Sequence, residues 1–447
     1  MSPVRPPRDP KAIYTALLNP TSTEACLQPT PLTRLEIPEM PMLPPSSLQF
    51  RSLAITFMAI LIMAATGGCK TGQQTARSND RQADQTAAQK DAEVLAALEQ
   101  EYAIGPKAAR TLGYRLGWQA PDAGKNTALI SPQEDSIFVL SSNKNLQRLT
   151  AATGTRIWSI TAGTPAANIL GINYLKTNER VYITHHGEIT SVSAATGALT
   201  SDEGRSPIQS LQWMANTGPV LFQDNFIYGS KGGDLVWQAF NIGYSYKAFN
   251  IGDYIDIKPM LAGDLLIGVA RSGEVAAMDA RLVKLRWKQK LLGQILASPA
   301  TNGSVLYVSC MDQYLRAFDV VSGRLIWRAL TETPLDISPV AIGNAVYQQI
   351  PGTGLACYEA MPVNRYDGRR LWVAKDAGGE VLTRRNGRLL VWDKDNRVLD
   401  VVSESTGVIE AKMELDEVQM VVADKQDNGR LYVLDNRGYL DCLIPLN

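Results

Sequence analysis

The sequence has little of the chemistry that marks most enzymes, and histidine is the scarcest of it. Only two histidines, His185 and His186, occur in 447 residues, and they are adjacent. Neighbouring side chains on a strand point to opposite faces, so this pair cannot chelate one metal without a bulge. We therefore expect no metal site and no catalytic histidine.

Cysteine is also rare, at 5 residues. Two of them, Cys26 and Cys69, precede the part of the chain that has a globular pattern. The others, Cys310, Cys357 and Cys442, are too scattered to form a disulfide framework. We expect buried free thiols, and the alternative is a disulfide between Cys310 and Cys357.

The sequence also has no excess of charge of either sign, since 44 basic residues balance 44 acidic ones. Binding to a phosphate backbone needs a basic excess, so we expect no nucleic-acid partner. The chain also has no glycine-rich phosphate loop and no Ser/His/Asp arrangement. We therefore predict no catalytic residues and no bound cofactor.

What the sequence has instead is a repeat, clearest in residues 317–327, Ala-Phe-Asp-Val-Val-Ser-Gly-Arg-Leu-Ile-Trp. The pattern is that of a β-hairpin with glycine at the turn and an aromatic residue on the second strand. Eight copies follow one another at spacings of 40 to 45 residues. The strand before each hairpin is marked by Phe138, Tyr182, Ile227, Ile267, Tyr307, Tyr347, Leu390 and Tyr432.

The copies predict an all-β fold, an eight-bladed β-propeller over residues 111–447. The last copy ends without its tryptophan strand, whereas residues 114–118 form such a strand with no hairpin before it. We expect the N-terminal strand to complete the last blade, so that no edge is left open. The residues expected to hold the repeat together are Trp118, Trp158, Trp287, Trp327, Trp372, Gly154 and Gly323.

Some copies depart from this pattern. Val283 replaces the turn glycine before Trp287, and Asn241-Ile242-Gly243 replaces the usual turn of the third copy. The copy that ends at Trp372 carries about five extra residues around Met361 to Tyr366.

The pattern A-x-D-x-x-[TS]-G-x-x-x-W at this spacing resembles the pyrroloquinoline-quinone-like (PQQ-like) β-propeller repeat. That family includes quinoprotein dehydrogenases and non-enzymatic, BamB-like lipoproteins of the outer-membrane β-barrel assembly machine. The resemblance therefore implies the fold firmly and the function weakly.

In the dehydrogenases the cofactor and a calcium ion occupy the central funnel, often beside two successive cysteines joined by a disulfide. This chain has no Cys-Cys pair and no evident calcium ligands. Asp279, Asp319 and Glu359 fit acceptors that close the hairpins, and residues 393–396 fit a solvated turn.

The N-terminal region divides into three parts. Residues 1–50 are proline-rich and indicate disorder or a start codon assigned too early. Residues 51–69 resemble a lipoprotein signal peptide: an apolar run of about 13 residues, too short for a membrane span, precedes Cys69, the expected lipidation site. Residues 70–110 predict a flexible tether and a short helix from Lys90 to Tyr102, docked on the ring or free for a partner.

Two stretches are candidates for a protein interface. The first is an aromatic-rich segment, although strand packing explains its residues equally well: Trp237, Phe240, Tyr244, Tyr246 and Phe249. The second is the longer connection Asp202 to Pro219, with Arg205, Trp213 and Met214.

From these observations we expect an exported, non-catalytic scaffold that is anchored by its lipid and binds other envelope proteins, monomeric within a larger complex. The resemblance to other lipoproteins, in which aspartate after the lipid-bearing cysteine often marks inner-membrane retention, implies the outer membrane, facing the periplasm, because Lys70 follows Cys69 here. The alternatives are a PQQ-dependent quinoprotein dehydrogenase and a sensor that binds a ligand in the funnel.

Overall fold

The structure, a computed structural model, describes residues 89–121, 123–124, 126–163, 168–201, 204–363 and 366–446. Within these residues the chain forms eight antiparallel sheets of four strands each. The predicted eight-bladed propeller is therefore confirmed. Residues 1–88, which hold the predicted signal peptide and Cys69, lie outside the described part.

Each blade consists of four strands that run in order from the inner to the outer edge. Blades 1 to 4 are β2 (Thr127–Gln133), β3 (Ser136–Ser141), β4 (Asn145–Thr150) and β5 (Arg156–Thr161); β6 (Ile169–Leu175), β7 (Arg180–His185), β8 (Glu188–Ser193) and β9 (Ile208–Ser210); β10 (Val220–Phe222), β11 (Asn225–Gly229), β12 (Asp234–Ala239) and β13 (Tyr244–Asn250); β14 (Met260–Ala262), β15 (Leu265–Val269), β16 (Glu274–Asp279) and β17 (Lys284–Lys290).

Blades 5 to 8 are β18 (Ala300–Thr301), β19 (Val305–Cys310), β20 (Tyr314–Asp319) and β21 (Leu325–Leu330); β22 (Val340–Ile342), β23 (Ala345–Ile350), β24 (Gly354–Glu359) and β25 (Arg370–Ala374); β26 (Glu380–Arg385), β27 (Arg388–Asp393), β28 (Val398–Ser403) and β29 (Ile409–Glu414); β30 (Val418–Ala423), β31 (Leu431–Asp435), β32 (Leu440–Pro445) and β1 (Tyr114–Ala120). The first strands of adjacent blades contact one another, for example β22 and β26, which places them on the inside of the ring.

The ring is closed by the N-terminal strand, as the sequence predicts. β1 pairs antiparallel with β32, and the register places Tyr114 opposite Pro445 and Trp118 opposite Cys442. The last blade thus takes three strands from the C-terminal end of the chain and one from the N-terminal side. All eight residues that mark the repeat lie on the second strand of their blade and are at most 2% exposed.

The core lies between the blades, because alternate residues of each strand face opposite neighbours. On β28, Leu399 and Val401 belong to the apolar cluster shared with blade 8. Val402 belongs to the cluster shared with blade 6. A single blade cannot bury both of its faces, so burial of apolar area holds the copies together in a ring.

Each repeat tryptophan makes the same contact with the next blade. Its indole Nε1 donates a hydrogen bond to the backbone oxygen just after the third strand of that blade. The pairs are Trp118 to Ala151 (3.2 Å), Trp158 to Ala194 (2.6 Å), Trp287 to Val320 (3.0 Å), Trp327 to Ala360 (2.9 Å) and Trp372 to Glu404 (2.9 Å).

The turn glycine makes room for that indole. Gly154 has φ +69°, and a Cβ at this position would lie 2.3 Å from the Trp118 ring. Gly323 is related to Trp287 in the same way, at 2.4 Å. The repeat therefore needs glycine both for the left-handed turn and for the close approach of the neighbouring tryptophan.

Where the repeat departs from its pattern, other side chains make the contact. Val283 keeps a positive φ of 51°, although it is β-branched. In the preceding blade, blade 3, Lys247 occupies the position on the outer strand where other copies have tryptophan. The tryptophan of this blade is Trp237, which pairs with Lys247 from the neighbouring strand β12. Its Nε1 donates to the oxygen of Ala280, 2.9 Å away. Trp237 and Val283 belong to the same apolar cluster. Valine therefore occupies the space beside the turn that, in other blades, glycine leaves for the indole.

The repeat's aspartates close its turns, as expected. Asp319 Oδ1 accepts the backbone N–H of Ser322 at 2.7 Å, and Asp279 Oδ1 accepts that of Leu282 at 2.9 Å. The hydroxyl of Ser322 holds the pKa of Asp319 below its usual range, and the Leu282 N–H does the same for the pKa of Asp279. Asp393 accepts the backbone N–H groups of Asp395 and Asn396, which makes residues 393–396 a turn.

Two helices precede the ring within the described residues. Helix α1 covers 89–101, against the predicted Lys90–Tyr102, and α2 (Pro106–Thr111) was not predicted. Val94 and Leu95 of α1 are 58% and 39% exposed, so the expectation that this face docks against the ring is wrong for these two side chains. Neither helix is long and apolar enough to cross a bilayer, judged on the described residues alone.

The segment that follows α1, including α2 itself, docks against the ring. Ile104, Ala109 and Leu112 are buried in the apolar cluster between blades 7 and 8. The backbone N–H of Ala103 donates to Asp441 Oδ2 at 3.1 Å. The docking element is thus residues 103–112, which the sequence pattern did not single out.

Candidate interaction surface

One face of the ring carries both the connections between blades and the turns between second and third strands, because successive strands alternate in direction. We call this the connection face. The turns between third and fourth strands, including Gly154 and Gly323, lie on the opposite face. Loops held on a rigid scaffold are the usual place for recognition, so the connection face is the first place to examine.

The connection between blades 2 and 3 presents apolar side chains to solvent. Met214 is 60% exposed, and Trp213 is half-buried against the cluster between these blades. The hydroxyl of Tyr228 donates to the backbone oxygen of Trp213 at 2.8 Å. The backbone is therefore fixed while the Met214 side chain projects outward.

The same connection is braced to its neighbours by polar contacts. The N–H of Ala215 donates to the oxygen of His186 at 2.7 Å, and the Nδ1 of His186 is 2.8 Å from the oxygen of Ala215. Asn216 Nδ2 donates to the oxygen of Ile255 at 2.8 Å, which reaches the connection between blades 3 and 4. The second histidine is thus a structural brace, a role that its sequence position did not indicate.

That next connection adds charge to the surface. The Arg271 side chain forms an ion pair with Asp256 at 3.1 Å. The backbone N–H of Arg271 donates to the backbone oxygen of Tyr254 at 2.7 Å. Tyr254 in turn donates to Asn216 Oδ1 at 3.4 Å. We call the ensemble of Trp213, Met214, Tyr254, Asp256 and Arg271 the blade 2–4 surface. It joins an apolar centre to a charged margin, the composition typical of a protein interface.

The aromatic segment of blade 3 divides between the core and the surface. Trp237 is 0% exposed, so its assignment to an interface is wrong; the indole is a core contact to the next blade. Phe240 packs against Tyr182 and Phe226, at ring distances of 5.6 and 5.1 Å, and Phe249 is also half-buried.

The two tyrosines of this segment remain at the surface. Tyr244 is 57% exposed and Tyr246 is 43% exposed, both on the outer strand of blade 3. Arg205, named with the second candidate stretch, is also exposed.

A cavity of about 750 Å³ opens on the connection face at blades 5 to 7. Its lining includes the carboxyl groups of Asp336, Glu380, Asp393 and Asp395 beside Trp392. These carboxyl groups do not converge: no group of three or more His, Cys, Asp or Glu side chains in the described residues could hold a metal ion.

The residues present therefore do not fit a quinone cofactor held with calcium. The described cysteines, Cys310, Cys357 and Cys442, are free thiols buried on blades 5, 6 and 8. The alternative of a Cys310–Cys357 disulfide is thus wrong. Burial raises the pKa of Cys357 to about 12 and that of Cys442 to about 12, so both are protonated at neutral pH.

Buried carboxyl groups that the sequence pattern did not indicate include one pair at equivalent positions of the repeat. Asp400 on β28 and Asp441 on β32 are each 1% exposed and occupy the same place in their blades. That place is held by Arg316 in blade 5 and by Ala276 in blade 4, on strands whose other inward positions are apolar. This position is apolar in blades 3, 4 and 6 but polar or charged in blades 1, 2 and 5, so the residue type alone did not mark the two carboxyl groups.

The fold and these loops define a class, the eight-bladed β-propellers with a PQQ-like repeat. The chain belongs to the family described as "Outer membrane protein assembly factor BamB", whose model matches residues 115–232 and 227–426. The recognition of BamB-like repeats in the sequence is thereby confirmed.

Individual relatives are distant. A curated protein of the same description, from Francisella salina, is 25% identical over 130 residues, 26% of this chain and 24% of that protein. The crystal structure of BamB from Moraxella catarrhalis is 17% identical, with a TM-score of 0.58 over 74% of this chain and 97% of that one. The designed Ika8 protein has a TM-score of 0.57 at 11% identity over 74% and 99% of the two chains. These structural similarities concern the fold alone.

Proposed function

We propose that this chain is a non-catalytic scaffold that binds another protein of the cell envelope through the blade 2–4 surface, in the assembly of outer-membrane proteins. The family is named for such assembly, which supports the process but not the contact. The observation that carries the contact is Met214, which is 60% exposed on a connection braced by blade 2, by blade 3 and by the connection between blades 3 and 4.

The physical argument is one of preorganisation. A partner that docks on a fixed loop loses less conformational entropy than one that must first order it. Apolar residues in the centre, Trp213 and Met214, would lose water on docking, and Arg271 and Asp256 at the margin would set orientation. This is a geometric mechanism in which the propeller does no chemistry.

We further propose that Cys69 carries a lipid that holds the ring beside the outer membrane, on its periplasmic side. The support lies in the sequence: an apolar run of about 13 residues followed by Thr-Gly-Gly-Cys. Residues 70–88 would act as the tether. Labelling cells with a radioactive fatty acid tests this, since Cys69→Ser should remove the label.

Site-specific crosslinking tests the interface. A photo-reactive amino acid is placed at Met214, and the matched control is Leu292, which is 94% exposed on the connection between blades 4 and 5. Irradiation of living cells should join an envelope protein to position 214 and not to position 292. Equal crosslinking from both positions, or none from 214, would refute the proposal.

A further inference from the structure

Asp400 is a buried carboxylate with no hydrogen-bond partner in the part of the chain that the structure describes. It is 1% exposed, and neither Oδ1 nor Oδ2 is bonded. The Lys412 Nζ lies 3.9 Å from Oδ1, beyond a hydrogen bond. Lys412 therefore supplies an ion pair but no hydrogen bond, and a buried carboxylate that accepts no hydrogen bond is costly.

Asp400 is one of the residues in the wall of a cavity. The cavity has a volume of about 340 Å³, lies between blades 6 and 7, and is also lined by Gln349, Asp376, Asp393 and Asn396. It shares Gln349 and Asp393 with the larger cavity on the connection face. A group entering from that face can therefore reach Lys412 and the cavity wall that contains Asp400, whose two oxygens are covered in this state.

The equivalent position in blade 8 shows how a buried carboxylate at this point of the repeat can obtain hydrogen bonds. Asp441 of blade 8 is the counterpart of Asp400, and it accepts Gln119 Nε2 at 2.9 Å and the Ala103 N–H at 3.1 Å. Ala103 belongs to the segment that fills the space between blades 7 and 8. One buried carboxylate is thus met by a polypeptide segment, and the other lies in the wall of a cavity.

The chemistry of the pocket favours a donor with two N–H groups. Neither oxygen of Asp400 accepts a hydrogen bond, and two such acceptors suit the planar fork of a guanidinium better than the point charge of the Lys412 ammonium. Blade 5 contains such a pair at the same place in the repeat, where Arg316 Nη1 and Nη2 bind Asp312 at 2.8 and 2.7 Å.

We propose that the Asp400 pocket binds the guanidinium group of an arginine side chain presented by a bound polypeptide. The polypeptide source rests on the proposed function, whereas the chemistry of the pocket does not. Lys412 is the competing cation, since its Nζ donates to the oxygen of Asp376 at 3.3 Å and stands at the rim. An entering guanidinium displaces it outward.

The charges around the pocket are consistent with this assignment. Burial raises the pKa of Asp400; Lys412 opposes that shift, and Asp393 and Asp376 reinforce it. A bound cation would lower this pKa and stabilise the ionised form. The test is therefore made at pH 8.

The experiment titrates the full chain with ethylguanidinium and follows the amide resonances of Gly378 and Val401 by NMR. N-Ethylurea, with the same shape and no charge, is the control ligand. Asp395→Asn is the control variant, because Asp395 is exposed and lines only the larger cavity. The expected result is a saturable shift with ethylguanidinium alone, in wild type and in Asp395→Asn.

Asp400→Asn should weaken that binding at least about tenfold, the value of one charge-assisted contact. Lys412→Met should instead tighten it, which provides a second variant if Asp400→Asn does not fold. No saturable shift in wild type, an equal response to N-ethylurea, or unchanged affinity in Asp400→Asn would each overturn the proposal. Because Met214 is not involved, failure here leaves the crosslinking test of the proposed function intact.

Discussion

The indole of Trp118 donates a hydrogen bond of 3.2 Å to the backbone oxygen of Ala151, and this contact joins the last blade to the first. It brings together residues from the two blades that the closing strand links. At the turn glycine beside it, Gly154, an added Cβ would lie 2.3 Å from the indole. The ring is therefore closed by side-chain packing as well as by strand pairing.

Replacing Gly154 by alanine should lower the free energy of unfolding by more than its positive φ alone requires. Gly352 is the matched control, because its φ is +73° against +69° and nothing lies within 4 Å of an added Cβ. We expect Gly352→Ala to cost about 1 to 2 kcal/mol and Gly154→Ala clearly more. Urea unfolding measures both, and equal losses would contradict the role of the indole.

The stability of the protein should depend on Asp441 at mildly acidic pH. Burial raises the pKa of this carboxyl from 3.8 to about 6, although Gln119 and the Ala103 N–H act against the shift. Between those two values the folded chain binds more protons than the unfolded chain, so the free energy of unfolding falls as pH rises, by about 3 kcal/mol.

Asp441→Asn should remove that part of the pH dependence. Unfolding free energies measured from pH 4 to pH 7 for wild type and variant give the comparison. Asp395→Asn, an exposed site, should keep the wild-type slope. A slope that is the same in all three proteins would show that Asp441 does not titrate in this range.

The thiols of Cys310, Cys357 and Cys442 should resist alkylation in the folded protein at pH 8. All three are buried, and burial keeps the pKa of Cys357 at about 12. Because the thiolate is the reactive species, iodoacetamide should modify these residues only after denaturation. Mass spectrometry of the modified peptides measures this, and rapid labelling of native Cys357 would contradict its placement.

The segment between blades 7 and 8 should contribute strongly to stability. Ile104→Ala removes a side chain that is 1% exposed and should cost about 2 to 4 kcal/mol. Leu95→Ala, on the exposed face of α1, should change the free energy of unfolding by less than about 0.5 kcal/mol. Thermal and urea unfolding of the two variants make the comparison, and similar losses would argue against docking of residues 103–112.

The features that could be predicted from the sequence are those that recur in every copy of the repeat. The spacing of the hairpins and the orphan strand before Trp118 were enough to predict eight blades and their closure, because each copy repeats the same packing problem. Copies that pack in a different way were not predictable. In blade 3 the tryptophan lies on the third strand, at Trp237, instead of on the outer strand. Only the structure shows that Val283 packs in the same cluster as this tryptophan, where other copies have glycine.

The candidate sites were harder for the same reason. Trp213 and Met214 were noticed as part of a long connection, but their exposure depends on braces from His186 and Asn216 that no local pattern encodes. Asp400 and Asp441 are one position of the repeat with two environments. The difference comes from the segment that contains Ala103, which is 338 residues from Asp441 in sequence. Contacts between residues so far apart in the chain cannot be predicted from the spacing of the repeats.

The strand that completes the last blade is made first and paired last. β1 emerges during synthesis well before β32 exists, so most of the ring is built while its N-terminal strand has no partner. A chain truncated just before residue 440 would lose β32 and leave the facing edges of β1 and β31 unpaired, each able to pair with another copy. The geometry thus makes pairing of β1 with β32 the step that covers both of these edges.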